Sequence, residues 1–405
     1  MSFSLIPSTF CGAQVHLGVT GSIAAYKALD LLRTLLKAGC QVSVTLTSAG
    51  QRFATPDSFR ALGADPVYAG MFDPAATAFP HLEPGQRAKC LIIAPATANI
   101  LAKLTHGLAD DLLSCQALAF PGPIILAPAM NPVMWAAPAT RRNWAQAKEL
   151  GFVCIEPVLG EMACGDTGQG RLPSTDILAA QVLRQCSPQD LAGKKILVTL
   201  GPTQEYWDRV RYLSNPSSGK MGAAIAMAAW LRGAEVTVVR GPVALELPGL
   251  FPEHNVTSAQ EMLAACLDLA PSQDIVCMTA AVADFAPVPV DSVKVKKSTL
   301  PKSGLSIPCK PVPDILAQMG KNKRPQQVFI GFAAESTTLH EEAQRKLQAK
   351  NLDLILANRI DQEGSGFASD TNEVVLYAKN GRQETWPCLP KTEIAWRLWD
   401  FLPCL

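Results

Sequence analysis

Charge of one sign is what this sequence has least of: 36 Lys and Arg face 35 Asp and Glu, leaving a formal net charge of +1. A nucleic acid or an anionic membrane surface normally requires a basic patch, so neither is an expected partner. No apolar run reaches the ~18 residues of a membrane-spanning helix, and residues 1–12 lack the basic head and apolar stretch of a secretory signal. The twelve cysteines contain no C-x-x-C pair, which argues against a zinc ribbon. Their scatter from Cys11 to Cys404 along 405 residues does not suit a disulfide scaffold either. Reduced thiols and a cytoplasmic location are expected. Two phosphate-binding signatures are also missing. No G-x-G-x-x-G follows the first strand, and Ser214-Asn-Pro-Ser-Ser-Gly-Lys-Met221 departs from a Walker loop at both Ser214 and Met221.

What is present is apolar material for more than one core, with 48% hydrophobic residues. Strand-like runs alternate with helical stretches twice over, which predicts an α/β chain of two doubly wound, Rossmann-like domains. Polar and turn residues cluster around Cys186 to Lys195, so the expected division is 1–189 and 190–405.

Doubly wound sheets place their chemistry at the carboxyl ends of strands, and the first half repeats one pattern there. Val15–Thr20 leads into Gly21 and Ser22, Gln41–Thr47 ends in hydroxyls, and Cys90–Ala94 runs into Thr97 and Asn99. Such groups serve either as helix caps or as phosphate seats. The run Ile124–Leu126 ends in a stiff loop where prolines flank Met130 and Asn131. His81 lies in a loop, either as a solvated bystander or as the proton handler of a nearby site. Cys164 lies in the glycine-rich stretch 161–171 that ends at Arg171, expected to be mobile or tightly turned. A thiol there has the chemistry to protonate a carbanion or enethiolate.

In the second half, the small-residue loop carrying Asn215 opens a helix, and lysines gather at Lys294, Lys296 and Lys297, then at Lys346 and Lys350. Surface lysines are ordinarily solvated, but a nucleoside triphosphate needs such cations.

The stretches 18–27, 94–99, 128–135 and 163–171, with the isolated His81, resemble the flavin-dependent cysteine decarboxylases. The resemblance implies FMN on the strand ends near Gly21, Ser22, Thr47, Thr97 and Asn99. It also implies His81 as the active-site histidine, Cys164 as the acid, and Asn131, Met130 and Arg171 as substrate contacts. Stretches 210–222, 279–284, 313–316, 331–335 and 350–358 resemble phosphopantothenoylcysteine synthetase. With both halves in this order, the chain resembles the bacterial bifunctional enzymes of coenzyme A biosynthesis. Asn215 is then expected to act on an acyl-nucleotide. Asp284, Lys294, Pro313, Asp314, Ile315, Leu316, Phe332, Lys346 and Lys350 are expected to contact the nucleotide, usually CTP with Mg²⁺. The metal ligands are not assigned. Substrates implied are 4'-phosphopantothenate and cysteine, and the implied assembly is a homo-oligomer of trimers and dimers. Pro216 departs from the polar residue expected after the asparagine. A damaged, non-catalytic flavoprotein is the rival reading, against which these polar residues are all present.

Overall fold

The computed structural model describes residues 5–72, 78–163, 165–288, 306–335, 339–359 and 369–404. Cys164 and Lys294 lie outside the described residues. The described residues divide after Pro188 into a unit of residues 8–188 and a second unit of residues from 189 onward that also takes in residues 5–7.

In the first unit the strands are β1 (Gln14–Val19), β2 (Gln41–Leu46), β3 (Val67–Tyr68), β4 (Cys90–Ala96), β5 (Ile124–Pro128) and β6 (Val153–Cys154). They form a parallel sheet in the order β3-β2-β1-β4-β5-β6. Every residue of β4 is buried, as a strand covered on both faces requires. The helices are α1 (Tyr26–Lys37), α2 (Pro56–Ala61), α3 (Glu83–Arg87), α4 (Ala98–His106), α5 (Leu112–Leu118), α6 (Pro132–Ala136), α7 (Pro138–Glu149) and α8 (Thr175–Cys186). Ala28, Leu31, Leu32 and Leu35 repeat at helical spacing on the buried face of α1. A core of Leu91, Ile93, Leu126, Leu101, Leu113 and Trp144 joins the sheet to α4, α5 and α7.

The stretch expected to be mobile or tightly turned is an antiparallel hairpin of β7 (Val158–Glu161) and β8 (Thr167–Arg171). Gly170 has φ +150°, and a Cβ there would lie 2.3 Å from the Met130 carbonyl oxygen. Glycine thus lets β8 lie directly on the loop after β5, with the Met130 N–H donating to Gly170 O at 3.0 Å.

In the second unit the strands are β9 (Lys195–Leu200), β10 (Gln204–Tyr206), β11 (Tyr212–Ser214), β12 (Glu235–Arg240), β13 (Glu253–Asn255), β14 (Ile275–Met278), β15 (Phe285–Pro287), β16 (Cys309–Pro311), β17 (Val328–Glu335), β18 (Leu354–Arg359), β19 (Thr371–Ala378) and β20 (Gln383–Pro390). The helices are α9 (Lys220–Leu231), α10 (Ala259–Leu269), α11 (Ile315–Lys321), α12 (Leu339–Ala349) and α13 (Lys391–Phe401). The main sheet runs β13-β12-β9-β14-β17-β18-β19-β20. It is parallel through β18, then closes with antiparallel β19 and β20. The expected doubly wound core is therefore extended by a hairpin. Its signal is the Asn380-Gly381 pair between two strand-like runs.

Candidate active sites

In the first unit Gly21 and Ser22 follow β1, Thr47 follows β2, Thr97 and Asn99 follow β4, and Met130 and Asn131 follow β5. The sheet order places all of them along one carboxyl edge, with the reversal of strand order between β1 and β4. That reversal is where a doubly wound sheet opens a crevice. Thr20 bridges it: its hydroxyl donates to Pro95 O at 2.7 Å and accepts from the Thr97 N–H at 3.1 Å.

The hydroxyls also act as caps. Ser22 accepts from Ala24 N–H at 3.4 Å, Thr47 from Gly50 N–H at 3.1 Å, and Thr97 from Ile100 N–H at 3.4 Å. A cap uses a lone pair and leaves the O–H hydrogen of Ser22 and Thr97 able to donate to an anion. Two cations approach the same edge. Lys27, in the first turn of α1, has its ammonium pKa lowered by burial and by the neighbouring Arg171 guanidinium. An anion held by the Ser22 and Thr97 hydroxyls would also offset the Lys27 charge, so the edge fits a phosphate-bearing cofactor. Lys27 closes the 18–27 stretch, and nothing in its type or spacing signals that the charge of Arg171 reaches it.

Asn131 has a fixed amide. Its Oδ1 accepts from Val133 N–H at 2.8 Å and its Nδ2 donates to Asp166 Oδ2 at 2.6 Å. Asp166 lies between the hairpin strands, where Met162 N–H donates to Asp166 O at 2.8 Å. Asn131 therefore already holds a carboxylate, the chemistry expected of its substrate. His81 is half-buried beside Phe79, their rings edge to face at 6.3 Å.

A buried polar cluster that the sequence reading missed lies under the His81 loop. His16, on β1, is fully buried, with Nδ1 2.7 Å from Ser43 Oγ and Nε2 3.0 Å from Thr45 Oγ1 and 3.2 Å from Gln116 Oε1. Burial, against the Gln116 hydrogen bond, lowers its pKa to about 4. The ring is therefore neutral at neutral pH. Its signal was slight: a single polar residue in an otherwise apolar central strand.

In the second unit one cavity of about 590 Å³ collects Asn215, Asp284, Pro313, Asp314, Ile315, Leu316, Phe332, Lys346 and Lys350. Its floor follows β14, again at a reversal of strand order, here between β9 and β14. Gly222 allows α9 to start against that floor. A Cβ there would lie 2.3 Å from Thr279 Oγ1 and 2.5 Å from Leu200 Cβ.

Asn215 donates through Nδ2 to Ala281 O at 3.3 Å and Val282 O at 3.1 Å. Two carbonyl acceptors require the NH₂ end on that side. Its oxygen is then the group Asn215 can offer, which suits an incoming amine better than an acyl phosphate. Asp314 caps α11 through Ala317 N–H at 3.0 Å and pairs with Lys350 Nζ at 2.9 Å. Its carboxyl pKa is held low: the cap and Lys350 outweigh desolvation, which is the largest single influence and acts the other way.

Lys220, Asn358, Asn372 and Lys391 also line this cavity; the first two lie in the stretches 210–222 and 350–358 without an assigned role, and the last two were not anticipated. Lys220 pairs with Asp370 at 2.5 Å. Lys391 is 6% exposed, donates to Ser369 O at 2.6 Å, and has its pKa lowered by burial and by Lys220. Among the described residues no group of three His, Cys, Asp or Glu is placed to hold a metal, and no helix is long and apolar enough to cross a membrane.

Residues 9–187 match the family profile described as Flavoprotein, and residues 191–403 match the DNA/pantothenate metabolism flavoprotein C-terminal domain. The coenzyme A biosynthesis bifunctional protein CoaBC of Bacillus subtilis (strain 168) is 40% identical over 390 residues, 95% of each chain. The chain belongs to the bifunctional coenzyme A biosynthesis family. CoaBC of Escherichia coli (strain K12) is 41% identical over 375 residues, 92% of each chain. A crystal structure of the C-terminal domain of a CoaBC protein shares 41% identity, covering 53% of this chain and 96% of that one at a TM-score of 0.45. As a family member the chain is an enzyme with two activities, phosphopantothenoylcysteine decarboxylase and phosphopantothenate–cysteine ligase.

Proposed function

We propose that residues 190–405 ligate cysteine to 4'-phosphopantothenate using CTP, and that residues 1–189 decarboxylate the product to 4'-phosphopantetheine using FMN. The observation that carries the ligase reading is the single cavity that gathers Asn215 with Asp284, Asp314, Phe332, Lys346 and Lys350. A carboxylate is a poor acyl donor until activated. Its attack on the α-phosphate of CTP releases pyrophosphate and forms an acyl-cytidylate, and the amine of cysteine then displaces CMP. Lys346 and Lys350 offset phosphate charge, with Lys294 assigned to the same task from the family resemblance. Asn215 Oδ1 accepts from the amine and aims its lone pair at the acyl carbon. A nucleotide-borne Mg²⁺ needs only one or two protein carboxylates, and Asp284 on the cavity wall suits that use.

In the decarboxylase half, Ser22, Thr97, Lys27 and Arg171 suit the phosphate of FMN. When bound, FMN supplies a two-electron acceptor and donor for the cysteinyl CH₂–S group. Asn131 orients the substrate carboxylate, His81 handles the proton, and Cys164 protonates the enethiolate left when CO₂ departs. Large apolar side chains are exposed beside Asn131 (Val133, Met134, Leu159) and around β10–β11 (Tyr206, Tyr212, Leu213, Phe285). Such surface supports an oligomer; trimers through the first half and dimers through the second are what the family resemblance implies, and the location proposed is the cytoplasm.

Pyrophosphate release from CTP or ATP, each supplied with 4'-phosphopantothenate and Mg²⁺, tests the ligase reading. Release with CTP is expected; release with neither nucleotide ends it.

A further inference from the structure

The His81 loop is tied to the sheet on both sides of the histidine. On one side the Gln116 amide donates to Pro80 O at 2.8 Å from the buried face of α5. On the other, the Tyr68 hydroxyl at the end of β3 donates to Glu83 Oε2 at 2.8 Å, and Arg87 pairs with the other oxygen of Glu83 at 3.0 Å.

Both ties rest on the cluster around His16. Because the NH₂ of Gln116 is committed to Pro80 O, its oxygen must face His16 and accept from Nε2–H. His16 Nδ1 is then an acceptor, so the Ser43 hydroxyl donates to it. The Tyr68 ring packs edge-on to His16 at 6.0 Å. One chain of hydrogen bonds thus runs from β2 through β1 and α5 to the residue before His81. The Nε2–H also faces Thr45 Oγ1 at 3.0 Å, so His16 shares that hydrogen between the Thr45 hydroxyl and the Gln116 oxygen.

We propose that Gln116 and Tyr68 are positioning residues that hold His81 in register for the decarboxylation, with His16 as their fixed base. The inference rests on the reading of His81 as an active-site residue, and it goes beyond that reading by assigning the groups that aim it. A catalytic group displaced by about 1 Å loses on the order of a hundredfold in rate.

The test uses the full chain with FMN bound and 4'-phosphopantothenoylcysteine as substrate, and compares Gln116→Met, Tyr68→Phe, His81→Asn and the pairwise combinations with His81→Asn. The maximal rate of flavin reduction in a single turnover should fall roughly 10- to 100-fold in Gln116→Met and Tyr68→Phe. The half-saturating substrate concentration should change by less than about threefold. Neither substitution should slow His81→Asn further, because a misplaced histidine and a missing one lose the same function. Without substrate, amide hydrogen exchange across residues 79–87 should speed up in both variants.

Parental flavin-reduction rates in Gln116→Met and Tyr68→Phe would overturn the proposal. So would losses that multiply with that of His81→Asn, the signature of general destabilisation. If Gln116→Met does not fold, Tyr68→Phe, which removes one oxygen and keeps the ring, decides alone. A parental rate in His81→Asn itself would instead refute the role of His81, an outcome separate from failure of the tethers.

Discussion

The Asn131 amide donates to the Asp166 carboxylate at 2.6 Å while its own oxygen accepts from Val133 N–H at 2.8 Å. The loop after β5 thereby fastens the β7–β8 hairpin through the same nitrogen assigned to the substrate carboxylate. That nitrogen carries two N–H groups, so under the proposed function a substrate carboxylate either shares it with Asp166 or displaces Asp166 from it.

Asn131→Asp sets two carboxylates against each other and repels the substrate's as well. We expect the flavin to stay oxidised when 4'-phosphopantothenoylcysteine is added, with the rate per unit substrate reduced by on the order of a hundredfold or more. Stopped-flow absorbance reads this directly, and parental flavin reduction would remove Asn131 from the substrate site.

Cys164→Ser keeps the side-chain size but raises the acid's pKa by several units, so protonation should become slow relative to oxidation. The oxidised enethiol product should accumulate with reduced flavin, detectable by mass and by absorbance. Normal turnover would show that the thiol is not the acid.

Much of this was legible in the sequence for one reason. Strand ends in a doubly wound sheet are marked locally, by apolar runs that stop at Gly, Ser, Thr or Asn, and the fold then lines those ends up without further instruction. Thr97 after β4 and Asn131 after β5 are examples. What was not legible depends on residues distant in sequence. His16, Thr45 and Gln116 meet only once β1, β2 and α5 are packed, and Lys391 joins the Asn215 cavity from the far end of the chain. The β7–β8 hairpin was hidden differently. Its glycines left mobility and tight turning both open, and Gly170 permits close packing on Met130.

His16 gives a pH dependence with a definite sign. Its pKa is about 4 in the folded chain, against 6.5 when unperturbed. Between pH 6.5 and 4 the unfolded chain takes up a proton that the folded chain does not. Stability therefore falls by about 1.4 kcal/mol per pH unit as pH drops through this window, and is unaffected above it. His16→Gln should show a shallower decline of the thermal midpoint from pH 7 to 5 than the parent. An identical decline in both would exclude His16 as the source.

Lys350→Gln removes a cation that Asp314 holds in the cavity proposed to take CTP. A lost charged contact to phosphate is worth about 1.5–3 kcal/mol, so the half-saturating CTP concentration should rise about 10- to 100-fold. Decarboxylation of supplied 4'-phosphopantothenoylcysteine should be unchanged. An unchanged CTP requirement would place the phosphates elsewhere.

The central claim is that one chain makes an amide from cysteine and then removes the carboxylate of that same cysteine. Carboxyl-labelled cysteine tests it in one vessel, with 4'-phosphopantothenate, Mg²⁺ and FMN, with and without CTP. Labelled CO₂ should appear only when CTP and 4'-phosphopantothenate are both present, and pyrophosphate release should precede it. Labelled CO₂ released without nucleotide, or pyrophosphate released with no CO₂ following it, would contradict the account.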